Sequence, residues 1–95
     1  MVRIGDDVAW TSTDSRVVAL HLATPAAVPC VLEESAAVIW QEIAEEGSVI
    51  VRELVERLSE VFGVDADEIR GHVETLISDL ARLDLLAARV RHRTP

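Results

Sequence analysis

The side chains that could do chemistry in this sequence are few and far apart. Cys30 is the single cysteine, and the histidines are His21, His72 and His92. They show no spacing typical of a metal site, and no basic neighbour lowers the pKa of Cys30 to make a nucleophile. The four glycines are isolated from one another, so no glycine-rich phosphate loop is present. The sequence therefore predicts a protein that is not an enzyme, with no metal and no cofactor.

Composition and charge narrow the possible partners. The chain has 95 residues and a formal net charge of −8, with arginine as its only basic residue besides histidine. Nucleic-acid-binding proteins concentrate positive charge, so this balance predicts no nucleic-acid partner. No apolar run approaches the ~18 residues of a membrane span, and one cysteine suits a reducing cytoplasm. We expect a cytoplasmic protein with one domain over residues 1–90 and a disordered tail over 91–95.

The first third of the chain has the pattern of β-strands. Residues 8–13, 17–23 and 28–33 are extended candidates, and the last two are rich in β-branched or aliphatic side chains. Turn-forming residues separate the first two, and Pro25 breaks the chain before the third. Three strands joined by hairpins are the simplest interpretation.

The rest of the chain has helical periodicity. The first helix runs from Glu34 to about Gly47 and carries Trp40 as a core anchor, and the second ends at Gly63. The third covers residues 65–83 and is predicted to start with a capping box of Asp65 and Glu68. Its apolar face, widened by Ile77, consists of Ile69, Val73, Leu76, Leu80 and Leu83. Gly71 inside this helix is either tolerated or permits another backbone to approach closely.

Strands followed by helices predict an α+β domain, here a three-stranded antiparallel sheet followed by three helices in a winged helix-turn-helix arrangement. Such a sheet has edges with unpaired N–H and C=O groups, and an edge beside an apolar helix can accept an extended peptide. Residues 28–33 are the candidate edge, and the third helix is the candidate wall. The alternative is that the chain's own residues 85–90 cover this edge.

A family resemblance supports this interpretation. Leu32-Glu33 leads into a helix with Ile39-Trp40, and a later helix ends at Val61-Phe62-Gly63-Val64. The pattern continues through Asp65-Ala66-Asp67-Glu68-Ile69 and closes at Asp84-Leu85-Leu86. Over roughly residues 16 to 87 the chain resembles the PqqD-like family of recognition elements for ribosomally synthesised and modified peptides. Within this family it is most similar to the discrete leader-peptide-binding proteins of lasso-peptide biosynthesis.

The resemblance implies a non-catalytic function. It implies that the chain binds a precursor's leader peptide as an added strand against the third strand and third helix. In that subfamily the leader presents a Tyr and a Pro to a hydrophobic pocket. The implied partners are this leader, a cysteine-protease-like leader peptidase and a macrolactam cyclase. Carried over by position, the peptide-binding residues are Cys30, Val31, Leu32, Glu33, Arg70, Val73, Glu74, Ile77 and Leu80. For Val73 and Leu80 a purely structural role in the core is equally compatible with the pattern.

Two other classes of function fit the same fold. One is a winged-helix DNA-binding regulator, but residues 65–83 contain five acidic residues and two arginines, which argues against a recognition helix. The other is a small dimerisation scaffold that uses the free edge. Binding of a leader peptide separates the first interpretation from this one, because a pure dimerisation domain would not bind the leader.

Overall fold

The computed structural model describes residues 1–24 and 27–88 of the chain. Its elements are β1 (Val2–Ile4), β2 (Val8–Thr13), β3 (Arg16–His21), β4 (Cys30–Glu33), α1 (Ser35–Glu46), α2 (Val51–Phe62), α3 (Ala66–Arg82) and β5 (Leu86–Ala88). The main sheet has the strand order β2-β3-β4 and is antiparallel throughout. The predicted α+β fold, with a three-stranded sheet followed by three helices, is confirmed. No helix in the described part of the chain is long and apolar enough to cross a membrane.

A second, two-stranded sheet joins the two ends of the described chain. β1 pairs antiparallel with β5, with Val2 opposite Ala88 and Ile4 opposite Leu86. Val2 also exchanges two backbone hydrogen bonds with Val49, at 2.8 and 3.0 Å. The sequence pattern predicted an extended segment after the third helix but not β1, whose three residues are too few to show a period. The alternative that this segment covers the β4 edge is wrong for its described part, because β5 pairs with β1. The predicted disordered tail, 91–95, lies outside the described residues.

The hydrophobic core lies between the main sheet and the helices. Trp40 is fully buried, which confirms its predicted role as an anchor. Around it α1 packs against β1, β3, β4 and α2, so this helix touches most of the other elements. The inward side chains of β3 are Val17 and Ala19, both with no exposed surface. No polar or charged residue in the described ranges is buried.

Helix α3 begins where the sequence predicted, but not by the predicted cap. Asp65 occupies the N-cap position without a side-chain hydrogen bond. Its backbone carbonyl instead accepts from the N–H groups of Glu68 at 3.0 Å and Ile69 at 3.2 Å. The Asp65 side chain is exposed to solvent, so the capping box is not formed. The start of α3 is stabilised by these backbone hydrogen bonds and by acidic residues in the first turn, whose negative charge interacts favourably with the positive end of the helix dipole.

The buried stripe of α3 is shorter than predicted. Ile69, Val73, Ile77 and Leu80 are buried, and Leu76 is half-buried against the same core. Leu83 was expected to continue the stripe, but 56% of it is exposed. The reason is that the helix ends at Arg82, so Leu83 leaves the helical path and points away from the core.

Two glycines in and beside the helices have different roles. Gly63 has a φ of 68° and ends α2 in the left-handed conformation, as its position after Phe62 predicted. Gly71 lies inside α3, and a Cβ built on it would meet no atom within 4 Å. Close approach of another backbone is therefore absent at Gly71 among the described residues, and the glycine is merely tolerated.

We expect Gly71→Ala to stabilise the domain by about 1 kcal/mol, because alanine costs less conformational entropy in a helix. Gly63→Ala should destabilise it by about 1–2 kcal/mol, since a Cβ is strained in the left-handed region. Urea unfolding followed by circular dichroism measures both free energies of unfolding. A loss of stability in Gly71→Ala would contradict the open environment of this residue.

Candidate functional site

The outer edge of β4 is unpaired in the described residues. β4 is the last strand in the order β2-β3-β4, with Leu32 opposite Val17 and Cys30 opposite Ala19. The Glu34 N–H donates to the Ser15 carbonyl at 3.1 Å, which fixes the phase of the ladder. Because backbone groups alternate in direction along an antiparallel strand, every second residue of β4 bonds to β3.

This phase decides which backbone groups a further strand could use. Cys30 and Leu32 direct their N–H and C=O groups toward β3, whereas Val31 and Glu33 direct theirs outward. The family resemblance implied that all four residues of β4, from Cys30 to Glu33, contact the peptide. For backbone pairing, the register leaves Val31 and Glu33 available, since Cys30 and Leu32 already complete the ladder with β3.

The side chains of β4 differ in exposure. Leu32 is buried and Cys30 is half-buried, whereas 54% of Val31 is exposed on the opposite face of the sheet. Glu33 is exposed and forms an ion pair with Arg16, its cross-strand neighbour, at 2.8 Å from Nη2 to Oε2. Such an exposed pair contributes little stability, but it orients both side chains beside the free edge.

Two contacts place helix α3 and the residue after it near the two ends of β4, so the helix and the strand have opposite chain directions. His72 Nε2 lies 3.3 Å from the Ser35 hydroxyl, just beyond the end of β4. At the other end, Leu83 shares a cavity with Val28 and Cys30. The space between the β4 edge and α3 is therefore a groove, which we call the β4–α3 groove. His72 is exposed, and its contact with Ser35 lies at one end of this groove.

A cavity of about 280 Å³ occupies the other end of the groove. It is mostly apolar and is formed by His21, Thr24, Ala27, Val28, Cys30, Leu83 and Leu85. The Thr24 hydroxyl lies 2.7 Å from His21 Nδ1, so the two polar side chains of the wall are paired with each other. A volume of this size suits one large side chain of a ligand.

Of the residues that form this cavity, only Cys30 was among the predicted peptide-binding residues, although Val28 fell in the candidate edge and Leu83 on the apolar face of the third helix. The others come from three separate segments, namely the end of β3, the chain before β4 and the chain after α3. Leu83 and Leu85 were visible as apolar positions near the helix end, but their place beside Val28 depends on tertiary packing. Periodicity alone could not have brought these segments together.

The predicted residues on α3 fall into two groups. Val73, Ile77 and Leu80 are 0, 6 and 2% exposed, so they pack in the core beneath the groove and offer almost no free surface. Arg70 and Glu74 are exposed, and Arg70 Nη1 lies 2.7 Å from Asp67 Oδ1. The direct role of all five in ligand binding stays a prediction, and the exposed pair has the better access.

Burial raises the pKa of the Cys30 thiol above its ordinary value. A higher pKa leaves a smaller fraction of reactive thiolate at any pH below it. Cys30 lines the cavity as a small side chain whose thiol is mostly protonated at neutral pH. Among the described residues, no group of three or more His, Cys, Asp and Glu side chains could hold a metal ion.

These features define the class of protein. It is a winged-helix domain with a sheet edge, unpaired in the described residues, beside its last helix. The chain belongs to the PqqD family, described as coenzyme PQQ synthesis protein D, whose pattern matches residues 16–86. This range runs from the first residue of β3 into β5 and includes the whole β4–α3 groove. The family membership predicted from the sequence is confirmed.

One solved structure extends the comparison beyond the family range. The chain is similar to TbiB1 in complex with the TbiA(beta) leader peptide, with 27% sequence identity and a TM-score of 0.80. The similarity covers 94% of this chain and 99% of that chain. No curated protein matches the chain.

We expect iodoacetamide to modify Cys30 several times more slowly in the folded protein than in the protein unfolded by urea. The raised pKa reduces the thiolate fraction, and the cavity limits access to the sulfur. Mass spectrometry of timed samples measures the rate, with a short cysteine-containing peptide as the reagent control. Equal rates in the folded and unfolded protein would contradict the described position of Cys30.

Proposed function

We propose that this protein binds the leader segment of a ribosomally synthesised precursor peptide, as an added β-strand in the β4–α3 groove. The observation that carries the proposal is a free strand edge beside α3 in a chain whose similar structure, TbiB1, holds a leader peptide. An edge strand supplies unpaired donors and acceptors that a peptide backbone can satisfy in register.

Two kinds of contact would recognise the leader, namely pairing of its backbone with β4 and insertion of one of its side chains into the cavity. The outward groups of Val31 and Glu33 would bond to the leader backbone and fix its register. The cavity beside Cys30 and Leu83 would take one large leader side chain, and the family resemblance suggests Tyr or Pro for it. Arg70 and Glu74 on the exposed side of α3 would contact polar leader residues. Pairing is sequence-tolerant, whereas the cavity would select the leader.

The proposed role is delivery rather than catalysis. The protein would hold the precursor close to a leader peptidase of the cysteine-protease type and to a macrolactam cyclase, and so raise the local substrate concentration. Lasso-peptide biosynthesis is the pathway class we infer. A reducing cytoplasm, where precursors are made by ribosomes, suits a chain with one cysteine.

The distribution of arginines argues against the DNA-binding alternative. Of the six arginines in the described residues, five lie within ion-pair distance of a carboxylate of the chain itself. On α3 both arginines are so paired, Arg70 with Asp67 and Arg82 with Asp79. A helix that reads DNA needs cations available to phosphate, which this helix lacks.

We expect Val31→Pro to weaken leader binding about tenfold or more, because proline removes an outward donor that the added strand needs. The β3–β4 ladder should survive, since Val31 does not bond to β3. Fluorescence polarisation with a labelled leader, taken from a precursor gene encoded nearby, measures the affinity, and circular dichroism checks the fold. Full affinity in a folded Val31→Pro protein would rule out the added-strand model.

A second variant tests the cavity. Leu83→Glu should weaken leader binding about tenfold, since it places a charge in an apolar wall that the leader would bury. Val61→Glu is the matched control, because Val61 is 53% exposed, close to the 56% of Leu83, but lies on α2 outside the cavity. Equal loss in both variants would indicate a general charge effect and would contradict the cavity's role.

A further inference from the structure

The opposite edge of the main sheet is also unpaired in the described residues. β2 is the first strand in the order β2-β3-β4. The Leu22 N–H donates to the Asp7 carbonyl at 2.7 Å, and Val8 lies opposite His21 in the same register. The alternation of backbone groups then directs Ala9, Thr11 and Thr13 toward β3. The N–H and C=O groups of Val8, Trp10 and Ser12 point outward.

The residues of β2 itself include none of the types by which proteins protect an edge strand. Its six residues, Val8–Thr13, contain no charged side chain and no proline. Long uncharged edges invite pairing with another chain, and monomeric proteins usually block them with charges, prolines or covering segments. β4, in comparison, has four residues and carries Glu33 at its end.

A groove adjoins this second edge. It has a volume of about 350 Å³ and is formed by Trp10, Ser12, Gln41, Ala44 and Glu45, so it lies between β2 and the C-terminal half of α1. Trp10 packs edge-to-face on Trp40, with ring centroids 5.8 Å apart. The buried Trp40 holds the Trp10 ring in place, while 36% of Trp10 remains exposed. We call this the β2–α1 groove.

The charge in the groove points to the kind of ligand. Arg57 forms ion pairs with Glu42 and Glu46, which neutralises two of the three acidic residues in the second half of α1. Glu45, the third, lines the groove and has no ion pair in the described part of the chain. An arginine or lysine of a ligand could pair with Glu45 and stack on the exposed Trp10 ring.

We propose that the β2–α1 groove is a second docking site, which binds an extended basic segment of a partner protein as a strand on β2. The net charge of −8 on this chain favours a basic partner and opposes pairing of two copies. The two grooves lie at opposite edges of one sheet, so the partner and a ligand in the β4–α3 groove can bind at the same time. This site does not depend on what the β4–α3 groove binds.

The test is a titration of the full, isotope-labelled chain with a short fluorescein-labelled peptide in which arginine alternates with valine. Saturable binding with amide shifts at Val8, Trp10, Ser12 and residues 41–45 is expected. Glu45→Gln should weaken binding roughly two- to fivefold. Glu53→Gln on α2, also exposed and also without an ion pair in the described residues, is the matched control and should change nothing.

Two proline variants, one in each edge strand, distinguish binding at the β2 edge from binding at the β4 edge. Ser12→Pro should weaken binding of the arginine-valine peptide about tenfold and leave leader binding unchanged, whereas Val31→Pro should do the reverse. No saturable binding, shifts confined to residues 30–33, or equal losses in the two glutamine variants would overturn the proposal. A dimer that Ser12→Pro abolishes would also overturn it, in favour of a second copy as the occupant. Leader binding measured in the same variants shows separately whether the proposed function of the β4–α3 groove is correct.

Discussion

The burial of Trp40 is the packing interaction on which the rest of this domain depends. Its side chain has no exposed surface, and its indole Nε1 has no hydrogen-bond partner in the described structure. An unpaired buried N–H is unfavourable, so apolar burial and the edge-to-face contact with Trp10 must outweigh it. Because α1 touches β1, β3, β4 and α2, anchoring this one helix positions the sheet, the end of the chain and the next helix together.

That anchoring covers one face of a three-stranded sheet, and both of its edges are unpaired within residues 1–24 and 27–88. β3 is the central strand of this sheet, and its backbone groups alternate between β2 and β4. The outward groups on each edge therefore follow from a single register. The cavity at the β4 edge is lined by Leu83, the residue after α3, and the groove at the β2 edge is lined by α1. The two have similar volumes but different chemistry. One is an apolar cavity with a half-buried thiol, and the other combines a partly exposed indole with an acidic side chain.

Local pattern was enough to predict the three helices, the glycine ends of the first two, and the order of the main strands. What it missed depends on residues far apart in sequence. β1 exists because Val2 reaches both Val49 and Ala88, and the cavity exists because Leu83 and Leu85 return beside Val28. Which backbone groups of β4 point toward β3 and which point outward depends on the strand register, and hydrophobic periodicity does not reveal that register. The helical pattern wrongly included Leu83 in the buried face of α3, because Leu83 continues the apolar spacing after the helix has ended.

The residues at the mouth of the cavity explain why this edge is suited to binding. Val28 is 82% exposed and Leu83 is 56% exposed, although both are large apolar side chains that folding usually buries. Isolated exposed aliphatic residues are common, but here two of them from different segments meet beside an unpaired strand. A ligand strand that pairs with β4 and inserts one side chain would remove this apolar surface from water and satisfy the edge in the same step. Under the proposed function, the affinity of the site would come from apolar burial and strand pairing that this domain alone does not complete.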